Sequence, residues 1–333
     1  MTDHSCLDRI RPRLKLPLIA APMFLVSGVD LVVAACLEGV IGSFPTANCR
    51  SAEQLDEWLR GISSAIGNAE SRTGQRAAPV CVNLIVHKSN PRLGADLAVL
   101  RRHKPEMVIT SVGSPTAVVA PLHDCGALVF ADVASIRHAE KAIEAGADGL
   151  VLLSAGAGGQ TGWLNPLAFA RAVRAFYAGP LVLAGGVSDG HALFAAEILG
   201  CDLAYMGTKF IATLESQAKD AYKRMLVDSS ADDIVLTRAF TGLETNMLRP
   251  SIVAAGIDPS SLPSRGMIDV GKDISVEGRS DRPARWRDIW SAGHSVSGVH
   301  AITSVADLVQ RTRTEYRAAR AVASQRWDTT EGY

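Results

Sequence analysis

Eight short apolar segments, each followed by a stretch of helical period, limit the fold of this chain more than any other feature. They are LPLIAAPM (the region of residues 17–24), VIGSFP (40–45), PVCVNLI (79–85), MVITSVG (107–113), ALVFADV (127–133), GLVLLSAG (149–156), PLVLAGGV (180–187) and LAYMGTKF (203–210). Their apolar character is unbroken rather than alternating, which is how strands covered on both faces of a parallel sheet read. The amphipathic stretches between them carry helix signals: Ser135 and Ser188 are placed as N-caps, Asn165 precedes Pro166, and Gly146 and Gly200 stand where helices stop. Eight β-then-α units imply closure into a (β/α)8 barrel over residues 1–227; an open doubly wound sheet is the alternative that the same alternation allows.

Regularity ends near residue 225. Residues 228–290 are dense in Gly, Pro, Ser and charge without a clear period, and read as an insertion or cap beside the barrel mouth. Residues 291–333 follow as a C-terminal segment, with a helix that packs back on the barrel and a frayed end, RWDTTEGY. No apolar run approaches the roughly 18 residues of a membrane span, and the N-terminus lacks the apolar core of a signal peptide, so a cytoplasmic location is expected. The 34 basic and 34 acidic residues cancel, which favours a small-molecule partner over nucleic acid or a membrane surface. Six scattered cysteines without a C-x-x-C pair argue against a disulfide framework and a structural zinc site.

In such a barrel the working site lies at the C-terminal ends of the strands. There the chain is rich in glycine: Gly156, Gly158, Gly159 and Gly162 after the sixth segment, Gly185 and Gly186 after the seventh, and Gly207 with Thr208 and Lys209 after the eighth. Glycine admits close backbone approach, and loops after the last two strands form the usual phosphate site of these barrels. Plain turn chemistry is the competing reading.

The residues Ala21-Pro22-Met23, Asn83, Ala157-Gly158-Gly159-x-x-Gly162, Gly185-Gly186, Gly207-Thr208 and the late Trp290-Ser291-Ala292-Gly293, in this order, resemble the nitronate monooxygenase family, once called 2-nitropropane dioxygenases, and the related FMN-dependent enoyl-acyl-carrier-protein reductases. The resemblance implies FMN across the barrel mouth, with its phosphate at Gly186, Gly207 and Thr208 and with Gly185 also binding the cofactor. Its ring would lie near Pro22, Met23 and Asn83, and Ala21, Gly158 and Gly159 would also contribute to cofactor binding. It implies an enzyme that oxidises alkyl nitronates with O2. Two other functions stay open: a flavin reductase that uses NAD(P)H to reduce quinones or enoyl thioesters, and a barrel that binds a phosphorylated ligand without redox work.

Many members of the family carry His in the glycine loop, where this chain has Gln160. Histidine accepts protons near neutral pH and an amide does not. Either the substrate arrives already ionised and needs no base, or the reaction is different, or another histidine takes over. Of eight histidines, His294, at a position where the family usually has Gln, leads as a substitute and His87, after the third segment, follows; His103, His123, His138 and His191 read as surface residues.

Overall fold

The computed structural model describes residues 5–262 and 288–328, so much of the expected cap and the last five residues of the frayed end lie outside the described residues. All eight apolar segments form strands: β1 (Leu18–Ala20), β2 (Ile41–Pro45), β3 (Val80–Ile85), β4 (Met107–Ser111), β5 (Leu128–Val133), β6 (Gly149–Leu153), then β8 (Leu181–Ala184) and β9 (Leu203–Met206). They close into one parallel barrel in the order β1-β2-β3-β4-β5-β6-β8-β9, with Ile19 of β1 opposite both Ile41 of β2 and Tyr205 of β9. The open-sheet alternative is thereby excluded. The intervening helices are α1 (Val29–Leu37), α2 (Ala52–Thr73), α3 (Leu93–His103), α4 (Thr116–His123), α5 (Ile136–Glu144), α6 (Pro166–Arg174), α7 (Gly190–Ile198) and the single turn α8 (Thr208–Ile211).

The helix signals act as expected with one shift. Ser135 Oγ accepts the His138 amide and Asn165 Oδ1 accepts the Leu167 amide at 2.9 Å. The cap of α7 is Asp189, whose carboxylate accepts the Ala192 amide at 2.9 Å, and not Ser188 as the sequence suggested. Two capping residues stand side by side there, and the extended backbone at Asp189 decides between them.

The unbroken apolar strands produce two layers of core. One lies between barrel and helices; the other fills the barrel itself, where Ile19, Ile41, Met107, Ile109, Phe130, Val151, Val182 and Leu203 are buried together. Each such side chain contributes on the order of 2 kcal/mol by leaving water, so the interior is a packed plug and not a channel.

Past α9 (Asp220–Val227) the expected cap contains more order than its composition suggested. β10 (Ile234–Thr237) and β11 (Thr245–Leu248) pair antiparallel, and β11 also pairs with β7 (Gly159–Gln160), a two-residue strand within the glycine loop. Strands of four residues are too short to show a period. The short helix α10 (Arg249–Ala254) follows, and the C-terminal helix Val305–Asp328 packs on α7. No helix among the described residues is long and apolar enough to cross a membrane.

Candidate active site

Side chains alternate across a strand, so the residues two positions beyond the buried interior layer also face inward, now at the barrel mouth. After Cys81 comes Asn83, after Ile109 comes Ser111, after Phe130 comes Asp132, and Tyr205 stands two beyond Leu203. These four polar residues line a cavity of about 240 Å³. Ser111 Oγ donates to Asn83 Oδ1 at 3.3 Å, which leaves the Asn83 amide nitrogen without a partner among the described residues. Asp132 Oδ1 and the Tyr205 hydroxyl are buried with no hydrogen-bond partner.

Removing a carboxylate from water favours its neutral form. Burial pushes the Asp132 carboxyl up to about 8, although the residue is only half-buried where it meets the cavity. The Tyr205 hydroxyl is driven well above its ordinary value by burial first and then by the charges of Asp132 and Cys81. Asp132 is the one carboxyl among the described lining residues, and no Lys, Arg or His joins it.

The rim is built from backbone. Gly186 has φ +76°, and a Cβ there would meet nothing within 4 Å, so the wall at this point is bare main chain that a side chain would fill. Thr208 Oγ1 accepts the Gly293 amide at 2.9 Å, and its own hydroxyl hydrogen remains available to an acceptor. Lys209 is half-buried and donates to the Gly298 carbonyl; it does not line the cavity. An anion at this corner therefore relies on peptide N–H groups and one hydroxyl. Across the mouth Val112, β-branched yet at φ +56°, closes the wall after β4, a strained conformation of the kind that gathers at ligand sites.

The roof joins the glycine loop to two later segments. Gln160 sits opposite Thr245 in the β7–β11 pair, and Asn246 Nδ2 donates to the Ala157 carbonyl at 2.7 Å. Gly158 lies against the Ala292–Gly293 backbone so closely that a Cβ would come within 2.6 Å of the Gly293 nitrogen; close approach requires glycine here. Tyr222 stacks on Trp290 at 4.9 Å between ring centroids, and its hydroxyl donates to the Ser291 carbonyl.

The family model for nitronate monooxygenase matches residues 10–311. The chain belongs to the nitronate monooxygenase family. A nitronate monooxygenase of Paraburkholderia phytofirmans is 28% identical over 298 residues, covering 78% of this chain and 81% of that protein. An octahydroindene carboxyl-CoA dehydrogenase of Mycobacterium tuberculosis is 28% identical over 240 residues, covering 71% of this chain and 64% of its own length. Among solved structures, a nitroalkane oxidase from Streptomyces ansochromogenes superimposes with a TM-score of 0.76 at 23% identity over 94% of this chain and 99% of that one, a likeness of fold.

In this nitronate monooxygenase family member, Ala21, Pro22, Met23, Asn83, Gly158, Gly159, Gln160, Gly185, Gly186, Gly207 and Thr208 all line the one cavity. The two histidines do not. His87 is half-buried and its Nδ1 pairs with Ser89 Oγ at 2.7 Å, outside the lining. His294 is exposed, its ring beside Gly156 and its amide donating to the Gly156 carbonyl at 2.9 Å. The segments carrying Gln160 and His294 do meet, but the imidazole is not among the groups that line the cavity. Sequence reasoning passed over Asp132, Ser111 and Tyr205. The signal was present for Asp132: a carboxylate near the C-terminal end of an otherwise apolar strand, ALVFADV.

Proposed function

We propose that the chain is an FMN-dependent oxidoreductase that oxidises alkyl nitronates with O2. The observation that carries this reading is the rim at Gly185, Gly186, Gly207 and Thr208, with main chain left bare at Gly186, on the side of the barrel where phosphates are held, in a member of the nitronate monooxygenase family. Peptide groups at Gly186 and Gly207 and the Thr208 hydroxyl would hold the phosphate. Ala21, Pro22, Met23, Gly158 and Gly159 would wall the ring, and the amide of Asn83 offers its polar edge a donor. The fit extends to the orphaned Tyr205 hydroxyl, a buried donor that needs a ligand partner.

FMN bound there supplies electron transfer between substrate and O2. The protein's share is position and exclusion of water. The stacked Tyr222–Trp290 pair roofs the cavity, and Gln160, fixed by the β7–β11 pairing, offers a hydrogen bond to a nitronate oxygen without basicity. A nitronate needs no deprotonation, which agrees with an amide at that position.

The test starts with heat release and identification of the cofactor, followed by oxygen-free mixing. A nitronate should bleach the bound flavin without nicotinamide. The carboxyl-CoA dehydrogenase relative favours a second reading, in which NAD(P)H bleaches the flavin and an acyl thioester accepts the electrons. A colourless protein that takes up no FMN overturns both and leaves the phosphate-binding barrel.

A further inference from the structure

One reactive side chain of the cavity has no part in holding flavin or nitronate. Asp132 faces the cavity from the end of β5, its Oδ1 buried and unpartnered, in a lining whose described residues hold no other carboxyl and no Lys, Arg or His. The groups that face it are neutral at physiological pH: Cys81 from β3, whose thiol burial holds well above its usual value, Tyr205 from β9, Asn83 and Ser111. No described cation is available to hold Asp132 ionised, and no described histidine enters the lining to exchange protons in its place.

We propose that the Asp132 carboxylate is the base through which this site accepts neutral nitroalkanes, an inference that rests on the nitronate reading. In the step, the C–H bond beside the nitro group breaks, its electron pair delocalises onto the nitro oxygens, and the proton is bound by Asp132. The products are the nitronate and a neutral carboxyl group; no oxidant is consumed. A carboxylate in water is too weak a base for this work. Burial to about 8 makes Asp132 a base matched to neutral pH, and its neutral form after proton transfer is the form that the cavity favours.

The proton step is readable apart from redox turnover. Exchange of the α-hydrogens of nitroethane in oxygen-free heavy water, followed by NMR, should be accelerated by the wild-type protein and should rise with pH to a plateau above about 8. Asp132→Asn should lower that acceleration at least about a hundredfold, and Asp132→Glu should restore part of it. Oxidation of a preformed nitronate by the FMN-loaded Asp132→Asn variant, which needs no proton removed from carbon, should fall much less than the exchange does. Unchanged exchange in Asp132→Asn overturns the proposal, as does a parallel fall with nitroalkane and nitronate, which marks a structural role. Asp132-dependent exchange in a protein that oxidises no nitronate supports the base and overturns the nitronate reading alone.

Discussion

A methyl group added at Gly186 separates ligand binding from stability. The position has φ +76° and open space where the Cβ would stand, so Gly186→Ala carries only the left-handed backbone penalty, about 1–2 kcal/mol. The same methyl enters the corner assigned to the phosphate. FMN affinity, measured by fluorescence quenching, should fall at least about tenfold, which is 1.4 kcal/mol, while the barrel stays folded. Asp132 gives a second prediction at this scale. Its carboxyl titrates near 8 in the fold and near 3.8 when unfolded, so the folded state holds an extra proton between those values. Stability from this group is unimpaired below pH 4, falls as pH rises toward 8, and levels off above it, with a slope of at most about 1.4 kcal/mol per pH unit. Thermal melting from pH 5 to about 8 should show Asp132→Asn gaining steadily on wild type; parallel curves would remove the assigned burial effect. Residue identity alone announced the glycines. It did not announce Asp132, because an isolated carboxylate acquires its meaning only from the closed barrel that dehydrates it.

At the scale of elements, the glycine loop is joined to β11 by the β7–β11 pairing and by one buried side-chain hydrogen bond. Asn246 Nδ2 donates to the Ala157 carbonyl inside this joint, and both are buried. Asn246→Ala leaves that carbonyl unpaired and should cost about 1–3 kcal/mol, a drop of several degrees in Tm by calorimetry. Since β11 also fixes Gln160 through β7, turnover should fall more than the loss of stability at assay temperature explains. An unchanged kcat would detach Gln160 from the reaction. Elements differ in how far sequence exposes them, and this joint shows why. The barrel strands were legible because dehydration on both faces demands apolar residues without interruption. β7, β10 and β11 were not, since a two-residue strand and two of four residues carry no period, and the pairing of β7 with β11 joins residues 85 or more apart, such as Gln160 and Thr245. The cap of α7 fell one residue from its expected place for a similar reason: Ser188 and Asp189 are equally suited chemically, and only the local backbone chooses.

Across the whole molecule the charges cancel, and this shapes how an anionic substrate is met. With 34 basic and 34 acidic residues, no net field draws a nitronate inward, and the described lining offers no cation to receive it. Capture then depends on short-range donors, whose strength salt barely screens. At neutral pH, kcat/KM for a nitronate should change less than about twofold between low salt and about 0.5 M. The situation reverses once Asp132 ionises. Unit charges about 4 Å apart repel by up to about 4 kcal/mol at an effective dielectric constant near 20, so a carboxylate in the wall opposes an anion beside it. KM for the nitronate should accordingly rise through pH 8, and more steeply at low salt, whereas the rate with neutral nitroethane rises over the same interval because the base becomes available. One ionisation thus weakens nitronate binding while it speeds nitroethane turnover, and Asp132→Asn should flatten both profiles. A wild-type KM for nitronate that stays level from pH 7 to about 10 would place Asp132 away from the bound anion, because a charge cannot appear beside it without repelling it.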